Sequence, residues 1–148
     1  MEKTKVPSVE EILNMIKGKR DYAHAHKMYE LGRELGCEID PRVERDNYKI
    51  HFRLKHHDRD LYVLECGEDD IRVTASLEHI DKYKDTLGNC TKKVKMCVEN
   101  AVTSAQFALD NKVLDRAGQK QQIFQDMRTP DWCDVVELIR REHRFCED

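Results

Sequence analysis

The segment from Tyr48 to Lys55 alternates strictly, with Tyr48, Ile50, Phe52 and Leu54 apolar and Lys49, His51, Arg53 and Lys55 basic. Successive side chains of a β-strand point to opposite faces, so this spacing gathers the four basic residues on one side. Ile71, Val73 and Ala75 alternate in the same way with Arg72, Thr74 and Ser76, and in a meander that polar set can share the basic side. Such a face suits an anion: Arg53 or Arg72 offers forked donors to a phosphate or carboxylate, and His51 and Lys55 add further donors. The plainer reading of the same pattern is the solvated side of a half-covered antiparallel sheet. An RNA-reading sheet carries exposed aromatics for base stacking, whereas Tyr48 and Phe52 fall on the apolar side, so no nucleic acid is expected as a partner.

Other chemistry-bearing sets are less well spaced. His56, His57 and Asp58, with Asp60, collect imidazoles and carboxylates in one turn and are candidates for a divalent metal. Adjacent residues rarely converge on one ion, which favours a solvated turn. Glu68, Asp69 and Asp70, preceded by Glu65, lack the spaced ligands of a calcium loop, and His24 and His26 sit two apart on an expected helix, facing different ways. Among the six cysteines there is no C-x-x-C pair, so structural zinc is not expected. Cys66 and Cys97 lie on apolar stripes and read as small buried hydrophobes. Cys90 precedes Thr91 at an expected helix start, close to Lys92 and Lys93, and is the cysteine best placed for a reactive thiol. No P-loop, G-x-G-x-x-G, G-x-S-x-G or H-E-x-x-H motif occurs, so the reading leans away from an enzyme and no cofactor is expected.

The elements that must hold these residues can be read in order. Ser8-Val9-Glu10-Glu11 is a capping box, followed by Ile12, Leu13 and Ile16 at helical spacing up to Gly18. A second helix is expected from about Lys19 to Leu35, with Gly36 at its C-terminal cap. Cys37 to Asn47, with Pro41 and mixed charges, reads as a connection. Three strands follow, over 48–55, 61–66 and 71–75. The turns between them are too short for a parallel crossover, so they form an antiparallel meander. Leu61 to Cys66 is apolar on both faces and should be its central strand. Ser76 is a candidate N-cap for a short helix ending near Gly88, and Thr91 opens a longer helix through Val94, Cys97, Val98, Ala101, Ala105 and Ala108. Gln122 to Met127 suits a last strand. Thr129-Pro130-Asp131 supplies the cap, proline and early acid of a final helix, whose inward face is Trp132, Val135, Val136 and Ile139. The expected fold is therefore α+β, a meander of three to four antiparallel strands with helices on one face, in the order ααβββααβα.

At 148 residues the chain fits one domain, residues 1–148, and can bury a cooperative core without disulfides. With 39% hydrophobic and 37% charged residues it is polar but not in the disordered class. Its 26 basic and 29 acidic residues exclude the strongly basic footprint of a general nucleic-acid binder. Neither a signal-peptide core nor a membrane span is found, which points to the cytoplasm, with reduced thiols and no membrane partner. A meander exposes an edge strand, leaving monomer and homodimer both open.

Pro7-Ser8-Val9-Glu10-Glu11-Ile12, the alternating hairpin from Lys49 to Glu65, and Thr129-Pro130-Asp131-Trp132 leading to Val136-Glu137-Leu138-Ile139-Arg140 together resemble the small YdhG-like α+β domains, a group rich in members of unknown function. The resemblance spans most of the chain. It implies the same α+β order, and for some relatives an iron-chaperone role resting on surface carboxylates, but it brings no ligand motif that can be laid on individual residues here. The sequence thus leads to a small binding or accessory domain that takes an anionic small molecule or a protein partner on its polar sheet face. The alternatives are metal handling, iron included, through the His56/His57/Asp58 cluster, and a thiol-dependent enzyme using Cys90.

Overall fold

The computed structural model describes residues 7–18, 22–44, 47–55, 59–67, 71–77, 79–98, 122–125 and 127–147. Ser8 caps helix α1 (Val9–Met15) through a complete capping box with Glu11. Helix α2 (Tyr22–Glu34) ends in a Schellman turn: Gly36 at φ 74° lets its own N–H reach the Arg33 carbonyl, and the Cys37 N–H reach that of Gly32.

A five-stranded antiparallel sheet follows, with strands β1 (Glu38–Glu44), β2 (Asn47–Arg53), β3 (Asp60–Cys66), β4 (Ile71–Ala75) and β5 (Gln122–Gln125) adjacent in chain order. The α+β class is as the sequence indicates, and β3 is central. The sheet is larger than expected because the segment read as a connection after Cys37 forms β1. Its proline and charges suit an edge strand, where one side of the backbone needs no partner and both faces of the chain are half-solvated. The strand expected to reach Lys55 stops at Arg53, where the β2–β3 register shifts, and Lys55 lies in the turn beyond.

Register sorts the side chains. Ile39, Ile50, Phe52, Tyr62, Leu64, Val73, Ala75 and Phe124 occupy one face by cross-strand pairing, and all but Ile39 are fully buried there. Helix α2 lies on this face, against β1 and β3. At Gly32 it comes so close that any Cβ would collide with the Phe52 ring and meet the Tyr62 hydroxyl. Those two rings stack at 4.3 Å, and Tyr62 donates its hydroxyl proton to the Met28 carbonyl.

After β4 a 3₁₀ turn (Ile80–Lys82) leads to α3 (Lys84–Gly88) and to α4, helical over 92–98. His79, not Ser76, occupies the N-cap position of the 3₁₀ turn. Thr91 caps α4 by accepting the Val94 N–H at 3.3 Å. The continuation expected through Ala101 to Gly118 lies outside the described residues. Helix α5 (Thr129–Glu147) begins at Thr129 itself, so the expected cap is the first helical residue and Arg128 stands before it, its N–H donated to Asp131 at 3.0 Å and its carbonyl accepting the Trp132 N–H. The helix packs on α2, α3 and β3 and buries Trp132, Val135, Leu138 and Ile139. Its inward stripe continues beyond the sequence expectation to Glu142, which is 0% exposed, and Cys146.

Candidate functional site

On the open face of the sheet, pairing builds rows across the strands. Arg42, Lys49, Glu65, Arg72 and Gln125 form one, Asp40, His51, Val63, Thr74 and Ile123 the next, and Glu38, Arg53 and Asp60 a third. The basic residues of β2 are therefore interleaved with acids from β1 and β3: Glu38, Asp40, Asp60 and Glu65 face Arg42, Lys49, Arg53 and Arg72. His51 Nδ1 lies 2.8 Å from an Asp60 oxygen, and Arg53 Nε is 4.0 Å from the other. Arg72 donates to Gln125 at 2.8 Å and sits 3.8 Å from Glu65, which also accepts from Asn47 at 3.0 Å. Arg53 and Arg72 fall in different rows, two strands apart, each with its own acid. His51, at 13% side-chain exposure, keeps a buried Nε2 without a hydrogen-bond partner. The metal candidates His56, His57 and Asp58 lie outside the described residues.

Cys90 is buried. Its Sγ donates to the Thr86 carbonyl at 3.3 Å, and burial, aided by nearby Asp134, pushes the thiol up to about 11. At neutral pH it is held as a thiol, the form without nucleophilic charge. Cys66 is buried as expected and pushed by burial up to about 12, whereas Cys97 is only partly covered.

Two further arrangements come from residues that strand alternation does not reveal. The first is a cleft of about 360 Å³ between α2 and α5. Buried Met28, Leu31 and Trp132 with half-buried Val136 make its inner wall, and exposed Lys27, Glu34 and Cys133 stand at its mouth. Arg140 donates to Glu34 at 2.7 Å and so ties α5 to α2 at one end. That hydrogen bond holds the Glu34 carboxyl below its usual range. The His24 ring lies 5.9 Å from that of Trp132, and His26 is 3.9 Å from Glu30 on the same helix. Both histidines line the cleft, though they point to different neighbours, in keeping with their spacing. The signal for this site was Trp132, the only tryptophan, at the start of an amphipathic helix; only tertiary packing brings α2 against it.

The second is a polar cluster under the C-terminal half of α5. Glu142 accepts at Oε1 from the His79 backbone N–H (2.8 Å) and the Tyr83 hydroxyl (2.9 Å). At Oε2 it meets His79 Nδ1 (2.6 Å), Arg59 Nη2 (3.1 Å) and the Cys146 thiol (3.3 Å). Burial alone would raise its pKa, but these bonds, His79 foremost, hold the carboxyl below its ordinary value. Arg59 also reaches Cys146 Sγ at 2.8 Å and the Ser76 carbonyl at 3.2 Å. Burial pushes the Cys146 thiol up to about 11.

Among the described residues no helix is long and apolar enough to cross a membrane. Compared with protein-family models, curated proteins and solved structures, the chain has no match, so the site is read from its own geometry.

Proposed function

We propose that this chain is a small-molecule-binding domain, without catalysis, whose ligand is an amphipathic anion held between α2 and α5. The observation that carries the reading is the cleft itself, of a size and lining typical of ligand sites: an apolar inner wall with a few charged groups at the mouth. An apolar body fits against Met28, Leu31 and Trp132, and a carboxylate or phosphate at its end competes with Glu34 for the Arg140 fork, with Lys27 beside it. The anion class is that of the sequence reading; its location moves from the sheet to the helices, because there the cation stands at the mouth of an apolar-lined cleft.

The single tryptophan makes the test direct. Medium-chain fatty acids and aryl phosphates are titrated while Trp132 fluorescence is followed. Saturable quenching or a blue shift is expected, weakened at least about tenfold in Arg140→Ala, the loss of one charge-assisted contact. Binding that leaves Trp132 unchanged, or that Arg140→Ala does not weaken, overturns the assignment. A second reading keeps the sheet face as a contact surface for a protein or anion, favoured by the unsatisfied Nε2 of His51. It is separated from the first by amide shifts that move on β2 and β3 rather than on α2 and α5.

A further inference from the structure

We propose that His79, Glu142 and Cys146 form a zinc-binding site whose cation position is held in this structure by the Arg59 guanidinium. One ligand atom from each residue lies within 4.8 Å of the other two. Glu142 and Cys146 are four apart on α5 and so share a face, and His79 is delivered from the segment entering the 3₁₀ turn. The mixture of imidazole, carboxylate and thiolate is a zinc donor set.

The hydrogen bonds divide the carboxylate into two roles. Oε1 is fixed by the His79 N–H and the Tyr83 hydroxyl, whereas Oε2 is the oxygen toward which His79 Nδ1 and Cys146 Sγ converge, at 2.6 and 3.3 Å. Oε1 thus receives the outer-shell support that orients a ligating carboxylate. Tetrahedral zinc places neighbouring ligand atoms roughly 3.2–3.8 Å apart, so Sγ and Oε2, at 3.3 Å, are already spaced for it, Nδ1 must withdraw from Oε2, and Nδ1 and Sγ lie within 4.8 Å of each other.

Arg59 Nη2 lies 3.1 Å from Oε2 and 2.8 Å from Sγ, in the place a cation would take. Its side chain is 16% exposed and that of His79 31%, which gives the ion a way in and the guanidinium a way out. The exchange balances. Zinc enters as Arg59 swings toward solvent, the Cys146 thiol proton is released to water, and the His79 proton leaves Nδ1 for Nε2. Arginine with one carboxylate is replaced by a dication with a carboxylate and a thiolate, and neither state buries net charge at these groups. With three protein ligands the fourth position falls to water, the coordination of an open rather than a closed zinc site.

Cobalt reports the site in the full chain. Titration with Co²⁺ should give thiolate-to-cobalt charge-transfer absorption, displaced by Zn²⁺, absent in Cys146→Ser and weakened at least about tenfold in His79→Ala. Arg59→Gln removes the competing cation and should tighten binding by about tenfold or more. A band that survives in Cys146→Ser assigns the metal to other cysteines and overturns the proposal. So does the absence of any band in the folded wild type, or unchanged affinity in folded Arg59→Gln. Should Arg59→Gln fail to give a cooperative melt, the comparison of wild type with Cys146→Ser and His79→Ala decides alone.

Discussion

Charge is handled in opposite ways on the open face of the sheet and beneath the C-terminal half of α5. On the sheet, acids and bases of neighbouring strands alternate in rows, their side chains partly in water, with Arg72 at 47% exposure and Arg53 at 38%. The Arg53 and Arg72 contacts there exchange one hydrated state for another, so they set register and solubility more than stability, while His51 and Asp60 are more covered. Under α5 a single carboxylate with no exposure gathers an arginine, a histidine, a tyrosine and a cysteine. In that dry setting every bond replaces lost hydration, and removing one partner leaves others stranded. Substitution on the sheet should therefore cost little, and within the cluster much.

The largest effect should come from Glu142→Ala, which strands Arg59 and the Tyr83 hydroxyl and should cost about 3–5 kcal/mol in urea unfolding. A loss under about 1 kcal/mol would put the cluster on the same footing as an exposed pair. An intermediate effect is expected from alkali. Cys90 and Cys146 are pushed up to about 11 and Cys66 to about 12 from an ordinary value of 9.0. Thiols with raised folded values stabilise fully below the ordinary value, and that contribution is lost as pH rises through the folded values. Thermal melts should accordingly fall between pH 9 and 11, less steeply in Cys146→Ser; an identical slope in that variant would show that the cluster does not sense its own thiol. The smallest effect is assigned to Arg72→Ala, within about 1 kcal/mol of wild type. A larger loss would mean that the sheet rows act as a cooperative network.

Much of the fold was written in local signals. The Ser8-x-x-Glu11 box, Gly36 and Asp131 each mark the end of an element through backbone groups a few residues away, and the alternation at Tyr48 to Arg53 reports burial on one side of β2. Strand β1 was hidden because an edge strand is asked for little: Pro41, Arg42 and Glu44 break the apolar pattern without breaking the pairing to β2. The charge character of the sheet face was hidden for a different reason. Alternation along β2 fixes which residues share a face, but Asp40, Asp60 and Glu65 become their neighbours only through register with other strands. The cluster under α5 went unread in the sequence. Trp132, Val135, Ile139, Glu142 and Cys146 follow one another at intervals of three and four, so the spacing carries Glu142 onto the inward stripe, but the apolar pattern ends at Ile139; nothing local announced Arg59 and His79 as its partners.

Pro41 has a consequence for how far this sheet can grow. It stands opposite Ile50 in the middle of β1, and with no N–H to offer it must turn its nitrogen away from β2, toward the free side. An incoming strand would meet a ring where the central donor should be, flanked by the charges of Asp40 and Arg42. Edge-to-edge addition, whether from another copy or from a misfolded chain seeding a fibril, is thereby discouraged at this margin by the strand's own backbone. One imino acid closes the end of the meander that the chain lays down first.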